Sequence, residues 1–207
     1  MNKTFVAAIL AIFSILGAAS CSSDNANRTS NNSSTSNTNS TSTVNALKNG
    51  VETAVNSVSN AVTGRPTEED FWNKAAEGGM AEVELSKLAQ TKSQNADVKK
   101  FAQMMITDHT KANTELKALA AKKNVTLPTA LSSSHKSTLD KLGTLSGADF
   151  DKAYVDAMVS DHDGAVSLFQ TEGDGGTDPD LKAFAAKTLP TLKGHQTAIK
   201  DIKSKMK

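Results

Sequence analysis

Apolar residues recur at three- and four-residue steps along four long stretches of this chain, the spacing of amphipathic helices that bury one face. The first stretch predicts a helix over about 67–93, with Phe71, Ala75, Gly78, Leu85 and Ala89 turned inward and Thr67 and Asp70 as a capping pair. Gly78-Gly79 within it signals close helix approach. A second helix is expected over about 96–123, capped by Asn95 and carrying Val98, Phe101, Met105, Ala112, Leu116 and Leu119 on one face. The third spans about 148–172, with Phe150, Tyr154, Met158, Ala165 and Phe169 in line. After a loop at 173–177, Asp178 is a good N-cap and Pro179 suits the first helical position of a fourth helix. That helix presents Leu181, Phe184, Thr188, Leu192, Ile199 and Ile202, and Pro190 is expected to kink it.

Connection lengths set the topology. The first two helices are joined by a residue or two, and the last two by a short loop, so each pair is antiparallel. The middle connection, 124–148, is much longer. Pro128 stops any helix there, a short amphipathic turn around Leu139 and Leu142 covers one end, and Gly143 and Gly147 mark turns. A helix as long as the second spans about 42 Å at 1.5 Å per residue. Part-extended chain at about 3.3 Å per residue returns over that distance, so the second and third helices are expected to run parallel. The fold class is all-α: a ferritin-like four-helix bundle over 66–207.

Each of the four stripes carries one ionisable residue near its middle: Glu82, His109, His162 and His195. Carboxylate and imidazole on a core face are costly unless paired or metal-bound. Glu82 and His109 fall at one depth counted from their shared turn, and His109 and His162 at one depth counted from their helix starts, whereas His195 is offset by about 9 Å along its helix. Met105-Ile106-Thr107-Asp108-His109 recurs as Met158-Val159-Ser160-Asp161-His162, by ancient duplication or by chance. Asp108 and Asp161 lie about 100° around their helices from the histidines. There they either hold a ring nitrogen of a neighbouring helix, as carboxylates beside metal-bound histidines do, or are solvated surface acids. Asn113, one turn beyond His109, is placed to add a hydrogen bond. One carboxylate and three imidazoles suit a single zinc, iron or copper ion. The competing reading is a metal-free polar network in which Glu82 pairs with protonated histidine.

Several readings are excluded or weak. Di-iron chemistry needs two Glu-x-x-His motifs, and none occurs. His135 lies in the connector and is expected in solvent. The methionines read as packing or surface residues rather than a copper-thioether cluster. The acidic run 174–180 lacks the spaced ligands of a calcium loop. A net charge of +1 leaves no electrostatic footprint for nucleic acid.

The first 63 residues have a different character. Lys3, an apolar run from Phe5 to Leu16 and small residues up to Ser20 read as an export signal over 1–20, too short to span a membrane. Cys21, the only cysteine, follows directly, and this small-residue run resembles a bacterial lipobox. That resemblance implies cleavage before Cys21, lipid on it, and a membrane as partner. Ser22 after it, in place of Asp, leans toward outer-membrane sorting. Ser, Asn and Thr dominate 21–43, a composition that forms a flexible tether. Val44, Leu47, Val51, Val55, Val58 and Val62 then form a narrow stripe over 44–63. It is either a marginal helix lying on the bundle or a membrane-surface or self-associating one.

Residues 68–206 resemble the bacterial domain of unknown function 4142. The segments that carry the resemblance are Gly79–Leu85, Met105–His109, Gly147–Tyr154, His162 and Leu189–His195. The resemblance implies a ferritin-like bundle in an exported protein, with recurrent polar positions at Glu82, Asp108, His109, His162 and His195, and no established activity. The leading expectation is a lipid-anchored envelope module that binds or handles a metal. The competing one is a non-catalytic structural or stress-related envelope protein. An enzyme at an open metal site is the weakest of the three. Oligomeric state and protein partner are left open.

Overall fold

The computed structural model describes residues 64–206. The expected signal, the tether with Cys21 and the 44–63 stripe lie outside the described residues. Five helices follow: α1 (Glu68–Lys92), α2 (Ala96–Lys123), α3 (Ser133–Thr144), α4 (Gly147–Gly175) and α5 (Pro179–Lys205). No described helix is long and apolar enough to cross a membrane.

Local chemistry sets most of the boundaries. Thr67 and Asp70 close a capping box on α1, with each side chain accepting from the other's backbone N–H. Asn95 caps α2 by accepting from Asp97 and Val98. That helix stops at Asn124, whose left-handed φ of 56° ends the run. Asp178 caps α5 with Pro179 in its first turn. Pro190 lies within α5, and the carbonyl it leaves without a donor belongs to Ala186 on the exposed side.

Two elements depart from the sequence reading. The connector holds a full helix, α3, capped by Ser132 and packed through buried Leu142, where only a turn was expected. Its apolar positions are few, so the stripe is too faint to announce a helix. The loop expected at 173–177 is shorter, because α4 continues through Gly173 to Gly175. Gly173 packs against the Ala186 backbone of α5, a tertiary contact that outweighs glycine's poor helix propensity.

Contacts at the helix ends give the directions. Lys123, ending α2, bridges Asp178 at 2.6 Å and Asp180 at 3.0 Å, where α5 begins. Glu68, opening α1, takes hydrogen bonds from Thr177 and from the Asp178 N–H, the latter at 2.9 Å. Lys92, ending α1, donates to the Leu145 carbonyl at 2.9 Å, just before α4. So α1 runs antiparallel to α4, α2 antiparallel to α5, and α2 parallel to α4. α1 packs on α2 and α4, and α5 packs on α2 and α4. The pairs α1/α5 and α2/α4 face each other across the axis.

The core is divided. One apolar cluster gathers Phe101, Met105, Phe150, Tyr154, Met158 and Ile199. The other gathers Phe71, Trp72, Leu116, Phe169, Phe184 and Leu192. Glu82, His109, His162 and His195 belong to neither and form a polar belt between them.

Candidate metal centre

The belt draws one residue from each long helix, and none of the four is more than 6% exposed. Ring centroids lie 5.7 Å apart for His109 and His162, 5.4 Å for His109 and His195, and 5.5 Å for His162 and His195. The expected offset of His195 is therefore not realised. The extension of α4 to Gly175 adds three residues, about 4.5 Å, to the depth of His162. That removes about half of the mismatch.

Each imidazole is tied by one nitrogen. His109 Nδ1 donates to Glu82 Oε2 at 2.9 Å. His162 Nδ1 donates to the Met158 carbonyl one turn earlier, at 2.9 Å. His195 Nε2 donates to Asp108 Oδ2 at 2.9 Å, across from α5 to α2. Since a neutral imidazole carries one N–H, these bonds assign the tautomers and turn the remaining lone pairs away from their partners. The nitrogens left over are His109 Nε2, His162 Nε2 and His195 Nδ1, all buried and without a hydrogen bond. One nitrogen from each of the three rings lies within 4.8 Å of the other two. No other group of three or more potential ligands comes together in this way among the described residues.

The electrostatics follow from burial. Desolvation works to raise the Glu82 carboxyl, but the charge and hydrogen bond of His109, with the two other imidazoles, outweigh it and keep Glu82 below the usual range. Burial pulls His109 down, and Glu82 overrides it, so His109 is the most easily protonated of the three. Burial holds His162 below the ordinary value. It pushes His195 down to about 4 despite the Asp108 hydrogen bond. His162 and His195 are therefore neutral at physiological pH, the form in which imidazole binds a metal. His162 Nδ1 also lies 3.3 Å from Glu82 Oε1. Its proton goes to Met158, so this contact is no hydrogen bond, and Glu82 Oε1 is left unpaired.

The structure places the other expected residues differently from one another. Glu82 sits against the Nδ1 side of His109 and His162, outside the ring of free nitrogens. Asp108 holds His195, while its counterpart Asp161 hydrogen-bonds no histidine. Asp161 instead lines a cleft of about 620 Å³ between α1 and α4, together with Glu82, His109 and Asn113. Burial and the charge of Glu82 push Asp161 up to about 6. Asn113 packs its amide against Gly79, where a Cβ would collide with it. His135, expected in solvent, is half-buried on the cleft wall, near enough for its charge to be felt at Asp161.

Sequence reasoning missed the Met158 carbonyl, because any helical histidine has a carbonyl one turn back and only the rotamer decides. It also missed the buried Ser86–Tyr154 hydrogen bond of 2.8 Å, because a serine one turn from Glu82 does not by its spacing name a partner. Asp151 and Glu172 are buried too, each with an oxygen lacking a partner.

A family model described as "Domain of unknown function (DUF4142)" matches residues 53–202. The chain belongs to the DUF4142 family. The match begins inside the 44–63 stripe, ahead of α1. No curated protein matches this DUF4142 chain. Among solved structures, a DUF305 fragment from Deinococcus radiodurans is similar at 16% identity and TM-score 0.60, over 68% of this chain and 97% of that one. CopM in its Cu(II)-bound form is similar at 17% identity and TM-score 0.59, over 69% and 99%. The "putative secreted protein DUF305" from Streptomyces coelicolor aligns at 14% identity and TM-score 0.54, over 64% and 89%. At these identities the likeness concerns the fold, an all-helical bundle.

Proposed function

We propose that this protein binds one late transition-metal ion, Cu(II) or Zn(II), through His109 Nε2, His162 Nε2 and His195 Nδ1. Glu82, Asp108 and the Met158 carbonyl orient the rings from behind. The observation that carries this is the convergence of three buried nitrogens whose lone pairs have no other use. Leaving each unpaired costs about 1–3 kcal/mol, and a metal bond offsets all three at once. The charges also suit a dication, because the ion would neutralise buried Glu82 and half-buried Asp108. Three ligands leave a coordination position for water or a small ligand. The CopM likeness adds that a bundle of this shape holds Cu(II) in another protein.

The metal-free network has one observation in its favour. Glu82 and His109 shift in opposite directions, as a buried ion pair does. That pair leaves the His162 and His195 nitrogens unexplained. Elemental analysis of the full chain, purified without chelator and dialysed against Cu(II) or Zn(II), decides between the two. One equivalent in the native chain and none in His162→Ala supports the metal site. A trace unchanged by His109→Ala rejects it.

We further place the protein outside the cytoplasm, tethered by lipid on Cys21 and built on a ferritin-like plan with a long crossover between α2 and α4. The lipobox-like sequence supports the anchor, and the similar fold of the "putative secreted protein DUF305" agrees with export. Cys21→Ser should move the protein from the membrane fraction to the soluble one, and unchanged fractionation would count against lipidation.

A further inference from the structure

We infer that the cleft between α1 and α4 is the port by which the ion reaches the three imidazoles, with Glu82 and Asp161 as the carboxylates that capture it on the way. The inference rests on the metal reading above.

The first argument is enclosure. On one side the imidazoles are shut in by Phe101, whose ring lies 6.1 Å from that of His162 and 6.4 Å from that of His195. Met105 and Met158, both fully buried, lie one turn before His109 and His162. On the other side lies the cleft. It is lined by His109 and Glu82 but not by His162 or His195. The site thus meets the cleft at one corner, and that corner carries a carboxylate.

The second argument is the state of the acids. Glu82 is 3% exposed, lines the cleft, and has one oxygen without a hydrogen bond. Asp161 lines the same cleft, is half-buried, and accepts no hydrogen bond among the described residues. Two buried or half-buried carboxylates with spare acceptors around one space repel each other, and a cation between them relieves both costs. Oxygen ligands exchange readily, so a hydrated ion sheds part of its water on them before meeting the softer imidazoles.

The third argument is shape. Gly78 and Gly164 both line the cleft, and a Cβ added at either meets nothing within 4 Å. The cleft stays open there because no side chain is present. The cations on its lining are turned to other partners: Arg65 donates to the Thr171 carbonyl at 3.4 Å and its charge acts on Glu172, and Lys74 lies 4.0 Å from Asp70. Lys74 also lies eight residues before Glu82, about 12 Å along α1, so its field falls on the far end.

Stopped-flow mixing of the full chain with Cu(II), alongside equilibrium competition titration, tests the port. Gly164→Leu should slow association and dissociation together by about tenfold and leave the equilibrium affinity nearly unchanged, because a plug alters the path and not the endpoint. Asp161→Asn should slow association by about tenfold and flatten its dependence on ionic strength. Gly78→Leu narrows the cleft from the other wall and should slow exchange as Gly164→Leu does. Stoichiometric Cu(II) binding at native rates in all three variants would overturn the port and leave the metal site standing. Failure of the native chain to bind either Cu(II) or Zn(II) would overturn both.

Discussion

The three imidazoles differ in what ties them, and the difference predicts how each neighbour should behave. His195 is set by a side chain, Asp108, whereas His162 is set by a backbone carbonyl that no substitution removes. Asp108→Ala frees His195 to take the other tautomer and should weaken metal binding about 10–100-fold. His195→Ala should abolish stoichiometric binding, and isothermal titration separates the two outcomes. Asp161 makes a prediction of its own in the metal-free chain. Its folded value near 6 lies above the ordinary 3.8. The folded state therefore binds more protons than the unfolded one between those values, and stability falls as pH rises through that window. Asp161→Asn removes the penalty. It should be about 1–2 kcal/mol more stable than the native chain above pH ~7, discounting the shift for partial exposure. That advantage should fade toward pH ~4, as read by urea unfolding at both ends of the range. An advantage that does not change with pH would mean that Asp161 is not strained by burial.

At the scale of elements, end chemistry was easier to read than tertiary contact. Thr67 with Asp70, Asn95, and Asp178 with Pro179 mark helix starts by side-chain reach alone, and each stands where its residues put it. The end of α4 and the full length of α3 were not legible, although the amphipathic turn around Leu139 and Leu142 was, since Gly173 and Leu142 are held by neighbours distant in sequence. The site was legible in its members but not in its wiring. A polar residue on an apolar stripe shows in the sequence; which nitrogen faces which partner does not. The adjacent glycines of α1 show the same limit. Gly78 and Gly79 look alike in sequence, yet one faces open cleft and the other the Asn113 amide. Gly78→Ala should stabilise by about 0.5–1 kcal/mol. Gly79→Ala should gain less or lose, because Asn113 must swing away. Thermal melts of the two single variants check the order, and equal gains would refute the close approach.

For the whole molecule, the polar belt means that the two apolar clusters are joined through charge and imidazole rather than through hydrocarbon. An ion at the belt would tie α2, α4 and α5 directly and α1 through the Glu82–His109 contact, so binding should raise stability by mass action. The gain is about 2.7 kcal/mol at one hundred times the dissociation constant, and calorimetry with and without Cu(II) reads it directly. His162→Ala should erase the gain while leaving a folded chain. The directions of the helices also bear on ancestry. A hairpin copied in tandem would superimpose α1 on α4 and α2 on α5, setting Glu82 opposite His162 and His109 opposite His195. The Met-to-His pattern instead recurs on α2 and α4, the diagonal partners that run the same way. Tandem doubling of a hairpin does not generate that pairing. The two matching pentapeptides look onto the same interior from opposite corners, so the belt between them is walled alike on both sides.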